Sequence, residues 1–326
     1  MKPLHFLPAL VIGLSLQGCE QSSVPSVTTA AQMPAAVAPA KVQKQIGLVM
    51  KTLTNPFFVE MEKGARRAEK ELGITLKVKT AAQETSIEQQ IQLVDDLITD
   101  KVDAIVIAPG DSQRLVPALK KAVDAGIKIV NIDNRLDQEA VKQAGLKPIP
   151  FISVDNEAGA YKVGQFLVKG ITVPTELAML EGIRSADNAQ QRSQGARRAF
   201  SENKWVKVVA AETANWKIDE GYSVSKAIFS THPNVKLVFA ANDMMAIGAI
   251  KFLQESGRTH VKIVGYDALD EALVEIKSGR LLATIDQQAA EQGYQGIALA
   301  NRLAHGSTVP EVTLIDTRLV TAHAAP

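Results

Sequence analysis

From Lys44 onward the chain alternates short runs of aliphatic and β-branched residues with longer amphipathic stretches. The runs are almost free of polar residues, which marks strands covered on both faces, as in a parallel sheet flanked by helices. They predict strands over residues 45–50, 74–80, 104–108, 127–132 and 151–154, and a second series over 177–180, 206–211, 236–241, 261–266 and 281–285. Helices fill the intervals, with Asp111, Asp187, Asp219 and Asp243 as expected cap residues. The series break near residues 149–154, where KPIP interrupts the helical pattern. Strand and helix in regular alternation mean βαβ units, so the predicted fold is α/β, with two similar doubly wound halves. Two runs end alike, IKIVNID at 127–133 and VKIVGYD at 261–267. Ligands of open α/β sheets bind outside the carboxyl ends of the strands. Asp133 and Asp267 are therefore expected to face a common cleft.

The 326 residues exceed what one hydrophobic core usually organises, which supports the division. Charge narrows the partners: 36 basic against 35 acidic residues leave a formal charge of +1. No basic patch interleaved with aromatics is present, so no nucleic-acid partner is expected. The N-terminal segment sets the compartment. Lys2 precedes a largely apolar stretch over residues 4–16, too short to span a bilayer and suited to the core of a signal peptide. It ends in LSLQGC, and Cys19 is the single cysteine of the chain. The pattern looks like a bacterial lipobox, which implies a signal peptide over 1–18, cleavage before Cys19 and lipidation of its thiol. Residues 19–43, rich in Ala, Pro, Ser, Thr and Val, lack the composition of a core and read as a flexible tether. The expected location is the extracytoplasmic face of the cell envelope, with the folded body anchored to a membrane. One cysteine allows no internal disulfide and no Cys-based metal site.

Other strand-end residues carry binding chemistry. In NPFF, Pro56 suits the first turn of a helix, which puts Asn55, Phe57 and Phe58 in a loop at the cleft edge. Flat rings suit the C–H face of a sugar and leave its hydroxyls to polar partners; the competing reading makes both rings helix core. Trp216 lies in a polar loop of the second half, where it can close over the same ligand. Asn242, in FAAND, offers a donor and an acceptor to a hydroxyl, whereas Asp243 reads as the cap of the next helix. Gln287 ends LLATIDQ and is a candidate on spacing.

These segments together carry a family resemblance. GLVMKTLTNPFFVEMEKGA, the strand-end IDN, VFAANDMMAIGA, IVGYD and LLATIDQ resemble the periplasmic ribose-binding protein family, the type I solute-binding proteins of ABC importers. The likeness runs from about residue 45 to 320, in the same order and spacing. It implies two Rossmann-like lobes joined by a three-strand hinge: an N-terminal lobe of 44–153 plus 288–314 and a C-terminal lobe of 154–287 plus 315–326, with crossings near Ser153, Gln287 and Ile315. It implies ligand contacts at Asn55, Phe57, Phe58, Asp133, Trp216, Asn242, Asp267 and Gln287. Trp216 stands where phenylalanine is common, and Tyr266 keeps an aromatic beside Asp267. The implied activity is capture of a small sugar or polyol by a monomer that hands it to an ABC permease, with no catalytic residue, no metal and no cofactor. A sensory co-receptor for a histidine kinase or chemoreceptor is the alternative.

Two departures concern charge. The ribose-binding pattern has arginines where this chain has Asn134 and Gln190. Asn and Gln copy a guanidinium's fixed donors only in part, which argues against D-ribose while keeping both residues in the expected site. Arg135, Arg184, Arg192 and Lys51 are the candidates to compensate. Without one, Asp133 and Asp267 lack counter-charges, which favours a different sugar, a polyol or an amine-bearing ligand. A glycosidase also uses paired carboxylates across a cleft, but no GxSxG, P-loop or HExxH motif accompanies them. A helix-turn-helix repressor on this body would replace the signal and tether.

Overall fold

The computed structural model describes residues 43–323, so the proposed signal peptide, Cys19 and the tether lie outside the described residues. The first series runs β1 (Gln45–Met50), α1 (Pro56–Leu72), β2 (Thr75–Thr80), α2 (Ile87–Thr99), β3 (Ala104–Ile107), α3 (Val116–Asp124), β4 (Lys128–Ile132), α4 (Gln138–Gln143) and β5 (Phe151–Val154). The second runs α5 (Asn156–Val168), β6 (Thr175–Glu181), α6 (Asp187–Ser201), β7 (Val206–Thr213), α7 (Ile218–Thr231), β8 (Val235–Ala240), α8 (Asp243–Glu255), β9 (Lys262–Val264), α9 (Asp270–Lys277) and β10 (Ala283–Asp286). Helix α10 (Ala289–Ala304) and strands β11 (Val312–Ile315) and β12 (Arg318–Thr321) close the described chain.

The strands form two six-stranded sheets, ordered β11-β5-β4-β3-β1-β2 and β12-β10-β9-β8-β6-β7. All pairings are parallel except β12, which runs antiparallel to β10. The chain passes between sheets three times: after β5, after β10 and between β11 and β12. Strands such as β3 are buried at every position, because helices cover both faces.

Local chemistry shapes the strand ends. Asn55 caps α1 by accepting from Phe57 N at 3.1 Å, Pro56 fills the first turn, and Gly73 (φ 63°) ends the helix. Asn131, a polar residue inside apolar β4, donates from Nδ2 to Asn134 O at 2.7 Å and accepts Leu136 N at 2.8 Å. It thereby folds the loop that carries Asp133. Helix α10 returns onto the first sheet, where Gly296 lies close against Ile132 and Val106.

The expected caps require correction. Asp187, Asp219 and Asp243 are already helical, in the first turns of α6, α7 and α8. Asn242 is the cap of α8, accepting from Met245 N at 2.9 Å. Asp111 caps a turn ahead of α3, accepting from Gln113 N and Arg114 N at 2.8 Å. The positive helix N-terminus favours a carboxylate in the first turn as well as at the cap, so the two positions look alike in sequence.

Candidate functional site

The carboxyl ends of both sheets converge on a chamber whose wall includes Lys51, Asn55, Phe57, Phe58, Glu84, Asp133, Asn188, Arg192, Trp216, Asn242, Asp267 and Gln287. Eight of the ten expected residues are thus brought together. Both aspartates follow their strands with positive φ, 62° at Asp133 and 124° at Asp267, and Asn215 and Trp216 are left-handed too. Such conformations are costly for residues with a Cβ and cluster where geometry serves a function.

On the first-sheet side, Lys51 Nζ lies 2.9 Å from Asp133 Oδ2, 3.9 Å from Glu84 Oε2 and 5.5 Å from the centre of the Phe58 ring. Asn55 Nδ2 donates to Glu84 Oε1 at 2.8 Å. Burial pushes the Glu84 carboxyl above its ordinary pKa, with Lys51 and Asn55 opposing the rise. Phe57 and Phe58 meet edge to face, with centroids 5.2 Å apart. Both stand in the first turn of α1, not in a loop as expected, and both belong to the buried core as well as to the chamber wall.

On the second-sheet side, Asp267 Oδ1 accepts from Gln287 Nε2 at 2.6 Å and lies 3.6 Å from Arg192 Nη1. Burial again raises its carboxyl well above the ordinary range, and the Arg192 charge is the chief opposing influence. Arg192 is held on three sides. Its Nε donates to Asn156 Oδ1 at 2.9 Å, its Nη1 donates to Ala241 O at 2.8 Å, and its guanidinium sits 3.9 Å from the centroid of the Tyr266 ring. It also lies 5.4 Å from the Trp216 ring.

Lys51 and Arg192 therefore supply the counter-charges that Asn134 and Gln190 do not, which removes the charge argument against D-ribose. Neither of those two residues lines the chamber. Asn134 turns its side chain toward Pro109 O, Ser112 Oγ and Asn188 N. Gln190 turns outward and donates to Arg184 O at 2.9 Å. Two residues along a helix are about 200° apart, so with Asn188 and Arg192 facing inward at i and i+4, Gln190 faces away. Arg135 stacks over Phe151 at 5.3 Å and Arg184 donates to Ala211 O at 3.1 Å, so neither compensates. Sequence reasoning missed Glu84 and Asn188. The i, i+4 pair of Asn188 and Arg192 was a usable signal, whereas Glu84 sits in a polar loop without pattern.

The chamber suits a polyhydroxylated solute. Among the described residues, Trp216 Nε1, Asn188 Oδ1 and Gln287 Oε1 are buried without a hydrogen-bond partner, and all three belong to the wall. No described group of His, Cys, Asp and Glu is arranged to hold a metal. A wider groove opens beyond Asn55, Glu84 and Trp216, but the buried charges gather in the smaller chamber.

Residues 46–308 match the model of the periplasmic binding protein domain family. The chain is 43% identical over 267 residues to the D-ribose/D-allose-binding protein of Pseudomonas aeruginosa, covering 81% of this chain and 83% of the relative. It is 31% identical over 285 residues to the D-allose-binding periplasmic protein of Escherichia coli, covering 85% and 92%. Among solved structures, a periplasmic solute-binding protein of an ABC transporter from Actinobacillus succinogenes with bound D-allose superposes with a TM-score of 0.82 at 38% identity, covering 86% of this chain and 99% of that one.

Proposed function

The chain belongs to the periplasmic binding protein family, and on that premise we propose that it captures a single aldose, of the D-allose or D-ribose type, and presents it to an ABC importer. The observation that carries this reading is the chamber, where carboxylates, amides and two cations from both sheets meet buried polar atoms that have no partner. The two relatives are named for D-ribose and D-allose or for D-allose, and the solved neighbour holds D-allose.

The mechanism is capture without covalent chemistry. Asp133, Glu84 and Asp267 accept from sugar hydroxyls, Lys51, Arg192 and the Trp216 indole donate, and the rings of Phe57, Phe58 and Trp216 cover the apolar faces. The N-terminal lobe comprises residues 44–153 and 288–314, the C-terminal lobe 154–287 and 315–326, and they close by rotation about Ser153, Gln287 and Ile315. The three passages of the chain between the sheets support this division. Sugar favours the closed state because only there are both sets of contacts made. Micromolar affinity corresponds to about 8 kcal/mol. Upstream, the signal peptide is removed before Cys19, whose lipid holds the body at the membrane.

Isothermal titration with D-allose, D-ribose, D-glucose and myo-inositol tests the ligand class, and small-angle scattering tests closure. D-allose or D-ribose should bind at micromolar concentration or tighter and reduce the radius of gyration. Failure of both aldoses to bind refutes the reading. For the anchor, labelling cells with a fatty-acid analogue should mark the wild type and not Cys19→Ser.

A further inference from the structure

Helix α6 begins without a cap of its own. Its N-cap position is Ala186, which has no side-chain oxygen to offer. A helix start leaves its first N–H groups unsatisfied, and a cap normally answers one of them from the same segment. Here the answer comes from the opposite lobe. Asp187 N donates to Ser112 Oγ at 3.0 Å and Asn188 N donates to Asn134 Oδ1 at 3.1 Å. Asn134 Nδ2 donates in turn to Ser112 Oγ at 3.3 Å and to Pro109 O at 3.0 Å, which joins the two caps in one network. Ser112 N adds a bond to Ser185 O at 3.2 Å. Ser112, Asn134 and Asn188 are all buried, yet Ser112 and Asn134 are absent from the chamber wall.

We propose that Ser112 and Asn134 form a helix cap in trans, a latch that holds the closed state and sets sugar affinity without touching the sugar. The proposal rests on the lobe closure described above. In the open state water answers the first N–H groups of α6, so the helix does not need the latch to fold. In the closed state water is excluded there, and only Ser112 and Asn134 satisfy those donors. Removing either oxygen therefore penalises the closed state, whereas the bonds of Asn134 Nδ2 to Pro109 O and Ser112 Oγ lie within one lobe and are lost from both states alike. A binding-competent state that becomes less populated weakens apparent affinity by the same factor. Asn134 is thus a positioning residue: it stands where the ribose-binding resemblance places a sugar-holding arginine, and it holds the other lobe instead.

The test compares wild type, Asn134→Ala, Ser112→Ala and Ser112→Thr, all as the full extracytoplasmic chain, with D-allose and D-ribose as probes. A buried donor left unanswered corresponds to a loss of about tenfold in affinity for Asn134→Ala, and a loss of roughly threefold to tenfold is expected for Ser112→Ala. The loss should fall on the dissociation rate, with association within about twofold of wild type. Ser112→Thr keeps the hydroxyl and should restore affinity. Because the latch touches neither sugar, the ratio of the two dissociation constants should stay at its wild-type value. Far-UV circular dichroism of the unliganded variants should match wild type and their melts should stay cooperative, which separates the effect from misfolding; the melting temperature of Asn134→Ala falls only by the share of its intralobe bonds. Should the wild type contract on binding sugar while Asn134→Ala keeps full affinity, the latch is overturned and closure stands. A changed ratio between the sugars overturns it as well, since that marks a contact with the ligand. A wild type that binds sugar without contracting, or binds neither sugar, overturns closure and the latch together.

Discussion

Gly182 follows β6 and lies against the indole of Trp216. A Cβ at this position would stand 1.9 Å from Trp216 Cζ2, 2.0 Å from Cη2 and 2.4 Å from Cε2. Carbon atoms in contact sit about 3.5 Å apart, so Gly182→Ala drives the ring back by roughly 1.5 Å. The backbone gives it little help. Asn215 and Trp216 have φ of 47° and 66°, Thr213 Oγ1 donates to Gly182 O at 2.8 Å, and Trp216 O accepts from Asn242 Nδ2 at 3.4 Å. Gly182 is not part of the chamber wall whereas Trp216 is, so the ring yields toward the space meant for the sugar. Overpacking a filled site costs about 1 to 3 kcal/mol, which corresponds to a loss of affinity of roughly fivefold to 150-fold. Isothermal titration with the sugar that binds the wild type measures the loss, and a thermal melt of the unliganded variant shows how much strain the fold absorbs. Affinity within about twofold of wild type would refute the reasoning, whatever the melting temperature, because the ring would then have moved without narrowing the chamber.

Three further outcomes are expected. Asp267→Ala removes an acceptor whose bonds contribute about 1.5 to 3 kcal/mol each, so binding should weaken by more than tenfold; unchanged affinity removes Asp267 from the site. Burial pushes the Asp243 carboxyl from 3.8 up to about 6, even though Thr284 Oγ1 and Leu269 N donate to it at 2.8 and 3.0 Å. The folded protein then holds this proton more tightly than the unfolded chain does. Its contribution is complete below about pH 4 and is lost as pH rises through about 6. Asp243→Asn should flatten that part of the pH profile of the melting temperature, and an unaltered slope between pH 4 and 7 would count against it. Gly64→Ala would set a Cβ 1.7 Å from Ala290 O, where α1 crosses α10, and should cost about 2 kcal/mol or more in chemical denaturation. A midpoint equal to wild type would mean that the two helices separate freely.

Much of the fold was legible because its signals are local. Strands β1 and β5 occupy the predicted residues, and β2, β3 and β4 begin or end one residue away, since an unbroken apolar run has few other ways to be buried. Asp133 and Asp267 were found by the same logic: a strand that stops at a carboxylate puts it at the sheet's carboxyl edge. The cap residues were less legible. Asp243 and Asn242 are neighbours, both suit a helix start, and the choice depended on which one kept an extended backbone.

What the sequence determined by itself was the order of elements, the sheet ends where chemistry gathers and eight residues of the chamber wall. Tertiary structure decided the rest. It turned Arg192 inward and Gln190 outward, because the direction of a side chain on α6 depends on where that helix begins and how it lies on its neighbours. It brought Glu84 from a loop without pattern to within 3.9 Å of Lys51, and it made Asn134 a cap for a helix in the other lobe. Such pairings join residues far apart in the chain. No spacing rule carries them, since a buried charge or donor is satisfied by whatever partner the packed fold places within reach.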